Sequence, residues 1–370
     1  MSGLYIGLMS GTSLDGVDAV LVDFDGPKTR VLGHSSTPIP APLRAELLAL
    51  NAPVDNELHR AALAANGLVR LYAGQVHSLL LQCGVQTDAV KAIGAHGQTV
   101  RHRPQEFDGT GYTLQLNNPS LLAELCGITV VADFRSRDVA AGGQGAPLVP
   151  PFHQAFFGKA DQALAVLNIG GISNITVLDP NAKDVLGFDC GPGNALMDAW
   201  CLNHTGQAFD NAGRWAALGQ VHADLLARLL DEPFFAKTPP KSTGRDLFNG
   251  PWLAHKLIGM EAVAPQDVQA TLTELTALAC ARSLLDTSPG CNILVVCGGG
   301  ALNDHLMARL RAALPNCRII SSEELGLPPQ QVEATAFAWL ARQTMLRKTS
   351  SVKSVTGARG ARILGAIYLA

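Results

Sequence analysis

The chain has 370 residues, of which 47% are hydrophobic, 16% charged and 5% aromatic, and its 28 Lys and Arg against 31 Asp and Glu leave a formal net charge of −3. Such a composition excludes a disordered chain, and the length is that of two domains, each able to bury a core. Without a basic excess there is no long-range attraction to nucleic acid or an anionic membrane, so any phosphate must be held locally.

From the start, Leu4 to Met9 reads as a short apolar strand that runs into Ser10-Gly11-Thr12-Ser13-Leu14-Asp15-Gly16, and Val17 to Phe24 as the second strand of a hairpin. Small hydroxyl and glycine residues let the turn's backbone close on a ligand's oxygens. Asp15 and Asp18 are placed to hold the water shell of a magnesium ion; the alternative is an ordinary hairpin loop. Thr29 to Ser35 is a third strand. Apolar residues then recur at three- and four-residue spacing over Leu43 to Leu50 and Glu57 to Gln82, which predicts core-facing helices. Ala89 to Ala95 returns to a strand, followed by a polar loop from His96 through Gln98 to His102, where ligands bind in open α/β sheets. Tyr112 to Leu116 (strand), Pro119 to Cys126 (helix) and Thr129 to Phe134 (strand) lead to Arg135-Ser136-Arg137-Asp138. The glycine cluster Gly142 to Gly145 is the expected hinge or domain boundary.

The opening pattern then returns. Ala163 to Ile169 is a strand, Gly170-Gly171-Ile172-Ser173 a glycine/serine turn, and Asn174 to Leu178 a second strand. Asp184 to Phe188 is a third, delivering Asp189 into the turn Cys190-Gly191-Pro192-Gly193-Asn194 that opens a helix. Gly191 and Gly193 resemble a dinucleotide fingerprint, but Leu196 stands where its third glycine belongs, so nicotinamide binding is not expected. Asp189 is the candidate reacting group, with a helix-capping carboxylate as the alternative. Two halves that each begin strand, glycine/serine turn, strand, turn, strand form an internal repeat, which predicts two similar lobes facing across a cleft.

Helices over Ala195 to Asn203 and Gly219 to Leu230 precede Lys241-Ser242-Thr243-Gly244-Arg245-Asp246, a loop lacking the upstream glycines of a P-loop. Val268 to Leu285 is a long apolar helix. Asn292 to Cys297 is a buried strand that runs into Gly298-Gly299-Gly300, a turn open to a flat or phosphorylated ligand or else a tight strand-to-helix connection. Arg318 to Ser321 is a strand, Gln331 to Met345 a helix with Glu333 at its head, and Ile363 to Leu369 a last apolar segment. The eight cysteines stand singly, as reduced core residues of a cytoplasmic protein do. No H-E-x-x-H pattern suggests zinc, Met1-Ser2-Gly3-Leu4 is no leader, and no apolar run approaches the roughly 18 residues of a membrane span.

With GLMSGTSLDGVD, NIGGISN, GFDCGPGN, VVCGGGALN and VEATAFAWLA in this order over nearly the whole length, the chain resembles the 1,6-anhydro-N-acetylmuramic acid kinases. The resemblance implies an α/β fold of two duplicated ribonuclease-H-like lobes, as in actin and hexokinase, with an interdomain cleft. An N-terminal lobe would span 1–140, with 346–370 packing back on it, and a C-terminal lobe 141–345. ATP and Mg2+ are the implied cofactors. The phosphate-binding hairpin would be Gly11, Thr12, Ser13, Leu14, Asp15, Gly16, Val17 and Asp18, with Asp15 or Asp18 orienting the metal. Its partner turn would be Gly170, Gly171, Ser173 and Asn174, and the adenosine-side turn Gly298, Gly299 and Gly300. Asp189 would be the general base; His96, Gln98, Arg137 and Glu333 would contact the sugar.

The implied reaction opens the anhydro bridge with water and phosphorylates the freed 6-oxygen, in recycling of peptidoglycan sugars by a cytoplasmic homodimer. Two other readings stay open. An ATP-driven scaffold on the same fold would need no sugar pocket, and an ATP-independent anhydrosugar hydrolase would need two flanking carboxylates but leave the glycine turns without use.

Overall fold

The protein is described by a computed structural model that covers residues 3–26, 28–182 and 184–370. Met1 and Ser2, half of the start read as leader-free, lie outside the described residues. The chain divides into two compact units, Met1–Phe156 with Gln331–Ala370, and Phe157–Gln330.

In the first unit, β1 (Leu4–Met9), β2 (Gly16–Asp23) and β3 (Arg30–Pro38) form an antiparallel meander in which Met9 faces Asp18 and Asp18 faces Ser36. Strand alternation splits their side chains between two cores. Ile6, Leu8, Val17, Ala19 and Leu21 enter one, and Tyr5, Met9, Val20 and Val22 the other. After α1 (Ala41–Ala49), α2 (Glu57–Cys83) buries Leu68, Tyr72, Val76 and Leu79 on one face, as its spacing predicts, and stops at left-handed Gly84.

Strand β4 (Val90–Ala95) lies parallel to β1. The stretch expected as a polar loop is instead β5 (Gln98–Pro104), paired with β6 (Gly111–Leu116) in a separate two-stranded sheet, and only His96 and Gly97 link it to β4. Its alternation of Gln98, Val100 and His102 is a strand period hidden among polar residues. Then come α3 (Pro119–Cys126), capped by the Asn118 side chain, β7 (Val130–Ala132), α4 (Ser136–Ala140) and α5 (Pro150–Phe157). The Gly142 to Gly145 cluster is held within this unit by buried Asp138. The Asp138 carbonyl accepts from Gly143 N–H at 2.9 Å, and its carboxylate accepts from Gly145 N–H at 2.8 Å and the Thr356 hydroxyl at 2.9 Å. The division between units therefore falls after Phe156 rather than at the glycines.

The second unit repeats the plan with β8 (Leu164–Ile169), β9 (Ile172–Leu178) and β10 (Leu186–Pro192) as an antiparallel meander. Helices α6 (Asn194–Thr205), α7 (Ala223–Leu230), α8 (Pro233–Ala236), α9 (Gly250–Lys256) and α10 (Pro265–Thr287) follow. Strand β11 (Ile293–Cys297) runs parallel to β8, and α11 (Asp304–Ala313) leads to parallel β12 (Arg318–Ser321). Back in the first unit, α12 (Val332–Met345) lies on the first sheet, α13 (Lys353–Thr356) follows, and β13 (Ala366–Tyr368) pairs antiparallel with β7.

The sheet orders are β13-β7-β4-β1-β2-β3 and β10-β9-β8-β11-β12. Setting β13 aside, both read third, second, first, fourth, fifth strand, with an antiparallel meander followed by parallel strands. These are duplicated ribonuclease-H-like lobes, and α12 belongs with the first of them, beyond the 345/346 division read from sequence.

Candidate active site

The loop of the first hairpin, Ser10 to Asp15, is fixed from below by residues distant in sequence. The buried Ser10 hydroxyl donates to the Gly97 carbonyl at 3.0 Å and lies 2.9 Å from the Tyr72 hydroxyl. Gln98 Nε2 donates to the Gly11 carbonyl at 3.2 Å, and Arg44 Nε to the Leu14 carbonyl at 3.1 Å. Leu14 and Val17 point into the core, so only their backbones face outward. Asp15 Oδ1 accepts from the Ser13 hydroxyl at 2.7 Å and from Gly16 N–H at 2.9 Å, which shapes the turn. Asp18 Oδ1 lies 3.2 Å from His34 Nε2.

Around the end of β4 the structure gathers His96 and Gln98 with residues that the sequence did not single out. Arg135 donates to His96 Nε2 at 2.9 Å and to the Gly145 carbonyl at 2.8 Å, so His96 is neutral with its proton on Nδ1. Burial and the Arg135 charge push the His96 pKa down to about 3, and the same causes, in the same order, push that of His102 down to about 4. His96 Nδ1, Gln98 Oε1, His102 Nε2 and Asn117 Oδ1 are buried here without a protein partner. Such orphaned atoms are scarce in folded proteins, and each can exchange a hydrogen bond with a polar ligand. Arg137 is exposed on α4, and Glu333 is half-buried in the first turn of α12.

Buried neutral histidines make stability pH-dependent. The unfolded chain protonates below about pH 6.5, whereas His96 and His153, both pushed down to about 3 with burial as the first cause, stay neutral in the folded protein. The folded-state pKa lies below the unfolded one, so this stability is complete above about 6.5 and drains as pH falls toward 3. Each of the two contributes about 1.4 kcal/mol per pH unit over that window. The urea midpoint is expected to fall between pH 7 and pH 5.5; an equal midpoint would show that these rings protonate in place.

The turns of the second unit converge on the end of β8. Gly193 N–H and Ala195 N–H donate to the Gly171 carbonyl at 3.0 and 3.2 Å, and Asn194 N–H to the Gly170 carbonyl at 2.8 Å. The amides at the start of α6 are thus consumed by the hairpin turn beside them. Gly193 is glycine because a Cβ there would overlap the Gly170 carbonyl oxygen. Gly298, at φ 80°, and Gly300 close against Asn168 and Ile169, while Asn194 Nδ2 donates to the Ile169 carbonyl at 3.3 Å. The three glycine turns of this unit therefore meet around Ile169.

Asp189 lies inside β10, which runs on to Pro192 with a bulge at Cys190, and it does not cap α6; Gly193 holds that position. Asn168 and Asp189 each face Asn174 across neighbouring strands, which sets three polar side chains in a row. Asp189 is 6% exposed, and its Oδ2 accepts from Thr243 N–H at 2.9 Å. Ser173 Oγ and Asn174 Oδ1 are buried without a partner.

Two lobes of one strand order, each with a glycine hairpin between its first two strands, define the duplicated ribonuclease-H-like class to which actin and the hexokinases belong. The profile of one family, anhydro-N-acetylmuramic acid kinase, matches residues 3–370. Proteins of that name from Albidiferax ferrireducens and Variovorax paradoxus are 65% and 64% identical, over 100% of both chains in the first case and 99% and 98% in the second. The Bordetella pertussis protein is 58% identical over 99% of this chain and 96% of its own. Among solved structures, the activator of the 2-hydroxyisocaproyl-CoA dehydratase from Clostridium difficile aligns over 93% of this chain and 97% of that one, at 13% identity and a TM-score of 0.48. The chain belongs to the anhydro-N-acetylmuramic acid kinase family and is a kinase.

Proposed function

We propose that the protein uses ATP and magnesium to open the 1,6-anhydro bridge of anhydro-N-acetylmuramic acid and phosphorylate the freed 6-oxygen, giving N-acetylmuramate 6-phosphate. Water adds to the anomeric carbon, Asp189 takes the water's proton, and the bond from that carbon to the bridge oxygen breaks. The 6-oxygen then accepts the γ-phosphoryl group and ADP leaves.

The observation that carries the nucleotide half of this reading is the room at three glycines. A Cβ at Gly11 would meet only Ser13 Oγ at 3.6 Å, at Gly170 only the Ile172 carbonyl at 3.6 Å, and at Gly299 only Asn194 Nδ2 at 3.6 Å. The fold does not require glycine at these points. What a side chain would occupy there is the space through which phosphates approach backbone N–H groups. Thr12, Ser13 and Ser173 supply hydroxyls beside these turns.

The carboxylates of Asp15 and Asp18 suit magnesium as hard oxygen donors. Asp15 has one oxygen engaged in its turn, and no group of three or more His, Cys, Asp or Glu side chains is assembled for a metal among the described residues. The ion would thus come with the nucleotide's phosphate oxygens and its own waters, and it would neutralise charge on the transferring phosphoryl group. His96, Gln98, Arg137 and Glu333 are assigned to the sugar, supported for the first two by their orphaned buried atoms. We place the enzyme in the cytoplasm, as a homodimer, in peptidoglycan recycling. Among the described residues no helix is long and apolar enough to cross a membrane.

Incubation with ATP, magnesium and a panel of anhydro and ordinary amino sugars, read by ADP release and product mass, tests the reaction. A product heavier by one phosphoryl group plus one water from the anhydro sugar alone is expected; ring opening without ATP would overturn it in favour of a hydrolase. Gly11→Val should leave the fold intact and weaken ATP binding at least about tenfold, a 1.4 kcal/mol loss. Unchanged affinity by calorimetry in the folded variant would remove the hairpin from the nucleotide site.

A further inference from the structure

The loop dismissed as a P-loop has another use. Strand β10 is the edge of its sheet, and the segment Lys241 to Thr243 lies against that edge at Asp189. Asp189 N–H donates to the Lys241 carbonyl at 3.2 Å, and Thr243 N–H donates back to Asp189 Oδ2 at 2.9 Å. The residue assigned as base is held through both its backbone and its carboxylate by one three-residue segment.

Lys241 anchors that segment in an unusual way. It is only 9% exposed, with its ammonium 4.8 Å from the Phe234 ring centre and 5.7 Å from that of Phe188. The Phe234 and Phe235 carbonyls accept from Nζ at 3.5 and 3.4 Å, and Lys241 forms no ion pair with the described residues. Phe188 and Phe234 are core residues, and Phe234 meets Phe248 edge to face at 5.7 Å between ring centres. Burial lowers the Lys241 pKa, against the pull of Cys190, Asp286 and Asp189. Burying a cation without a carboxylate partner is costly. Cation–π contacts offset part of that cost and hold the head group over two buried rings.

We propose that Lys241 and the backbone N–H of Thr243 form a clasp that positions the Asp189 carboxylate for the reaction, Lys241 by anchoring the segment and Thr243 by fixing Oδ2. Both are positioning residues, and the inference rests on Asp189 being the general base.

The test compares Thr243→Pro, which lacks the donor, with Thr243→Ala, which keeps it, and adds Lys241→Met and Asp189→Asn in the same ATP and anhydro-sugar assay. Thr243→Pro and Lys241→Met are expected to lower kcat about tenfold or more, the scale for losing a hydrogen bond to a charged group, with KM for ATP within about twofold. Thr243→Ala, which keeps the N–H, should retain more of kcat than Thr243→Pro. If Thr243→Pro does not fold, Lys241→Met, confirmed folded by circular dichroism, decides alone. Full turnover in folded Lys241→Met beside an inactive Asp189→Asn would overturn the clasp and leave the base in place. An active Asp189→Asn would instead overturn the base assignment itself.

Discussion

Asp189→Asn is expected to lose about 100- to 10,000-fold in turnover while still binding ATP and sugar, the range that general-base catalysis contributes. The substitution keeps the size and an acceptor oxygen, so Asn at 189 can still receive the Thr243 N–H that Asp189 Oδ2 receives at 2.9 Å. What it loses is the ability to take a proton from water. A helix-capping role no longer competes, because Gly193 occupies the N-cap of α6 and Asp189 lies in the strand before it. The remaining structural role is to hold the Lys241 to Thr243 segment on the sheet edge, and Asn would fill that role almost as well. Turnover within about threefold of the parent, too small a change for loss of a base, would therefore assign Asp189 to holding the segment and send the search for the base to Glu333 and Asp138.

The duplicated lobe was legible because its signals are local. Hydrophobic alternation set the strands, three- and four-residue spacing set α1 and α2, and each glycine turn stood beside an apolar run. What escaped were features set by partners far along the chain. Strand β5 carries arginine, histidine and glutamine and reads as polar loop until β6 pairs with it. Nothing local shows that the Gly170-Gly171 carbonyls accept from the amides opening α6. Gly142 to Gly145 looked like a hinge because the buried Asp138 that holds two of those glycines is invisible as a partner in a linear reading. Arg135, Tyr72 and Lys241 were missed for the same reason. Each is an ordinary residue type whose role is set by a neighbour far along the chain, His96 for Arg135, Ser10 for Tyr72 and Asp189 for Lys241. The second unit's three glycine turns announced themselves individually, whereas their meeting at Ile169 required the sheet.

The same distinction between local and distant cause predicts that two glycine-to-alanine changes in the first unit act with opposite sign. Gly7 is in the middle of β1, beneath α12, where an added Cβ would overlap the Ala334 carbonyl oxygen and lie 2.8 Å from Ala338 N. Both neighbours are helix backbone, which cannot rotate aside. The helix must lift from Gly7 and from Gly94, where a Cβ would likewise overlap the Phe337 carbonyl, and the fully buried Phe337, Ala338 and Ala341 would lose contact with the sheet. Overpacking of this kind costs about 3 kcal/mol or more. Gly74 is exposed within α2, and a Cβ there meets nothing within 4 Å. Alanine at 74 should gain about 0.5–1 kcal/mol, because glycine gives up more backbone freedom on entering a helix. Urea midpoints for Gly7→Ala and Gly74→Ala, measured beside the parent, should thus fall on either side of it. A Gly7→Ala midpoint equal to the parent's would mean that α12 does not pack on β1 as closely as the structure places it.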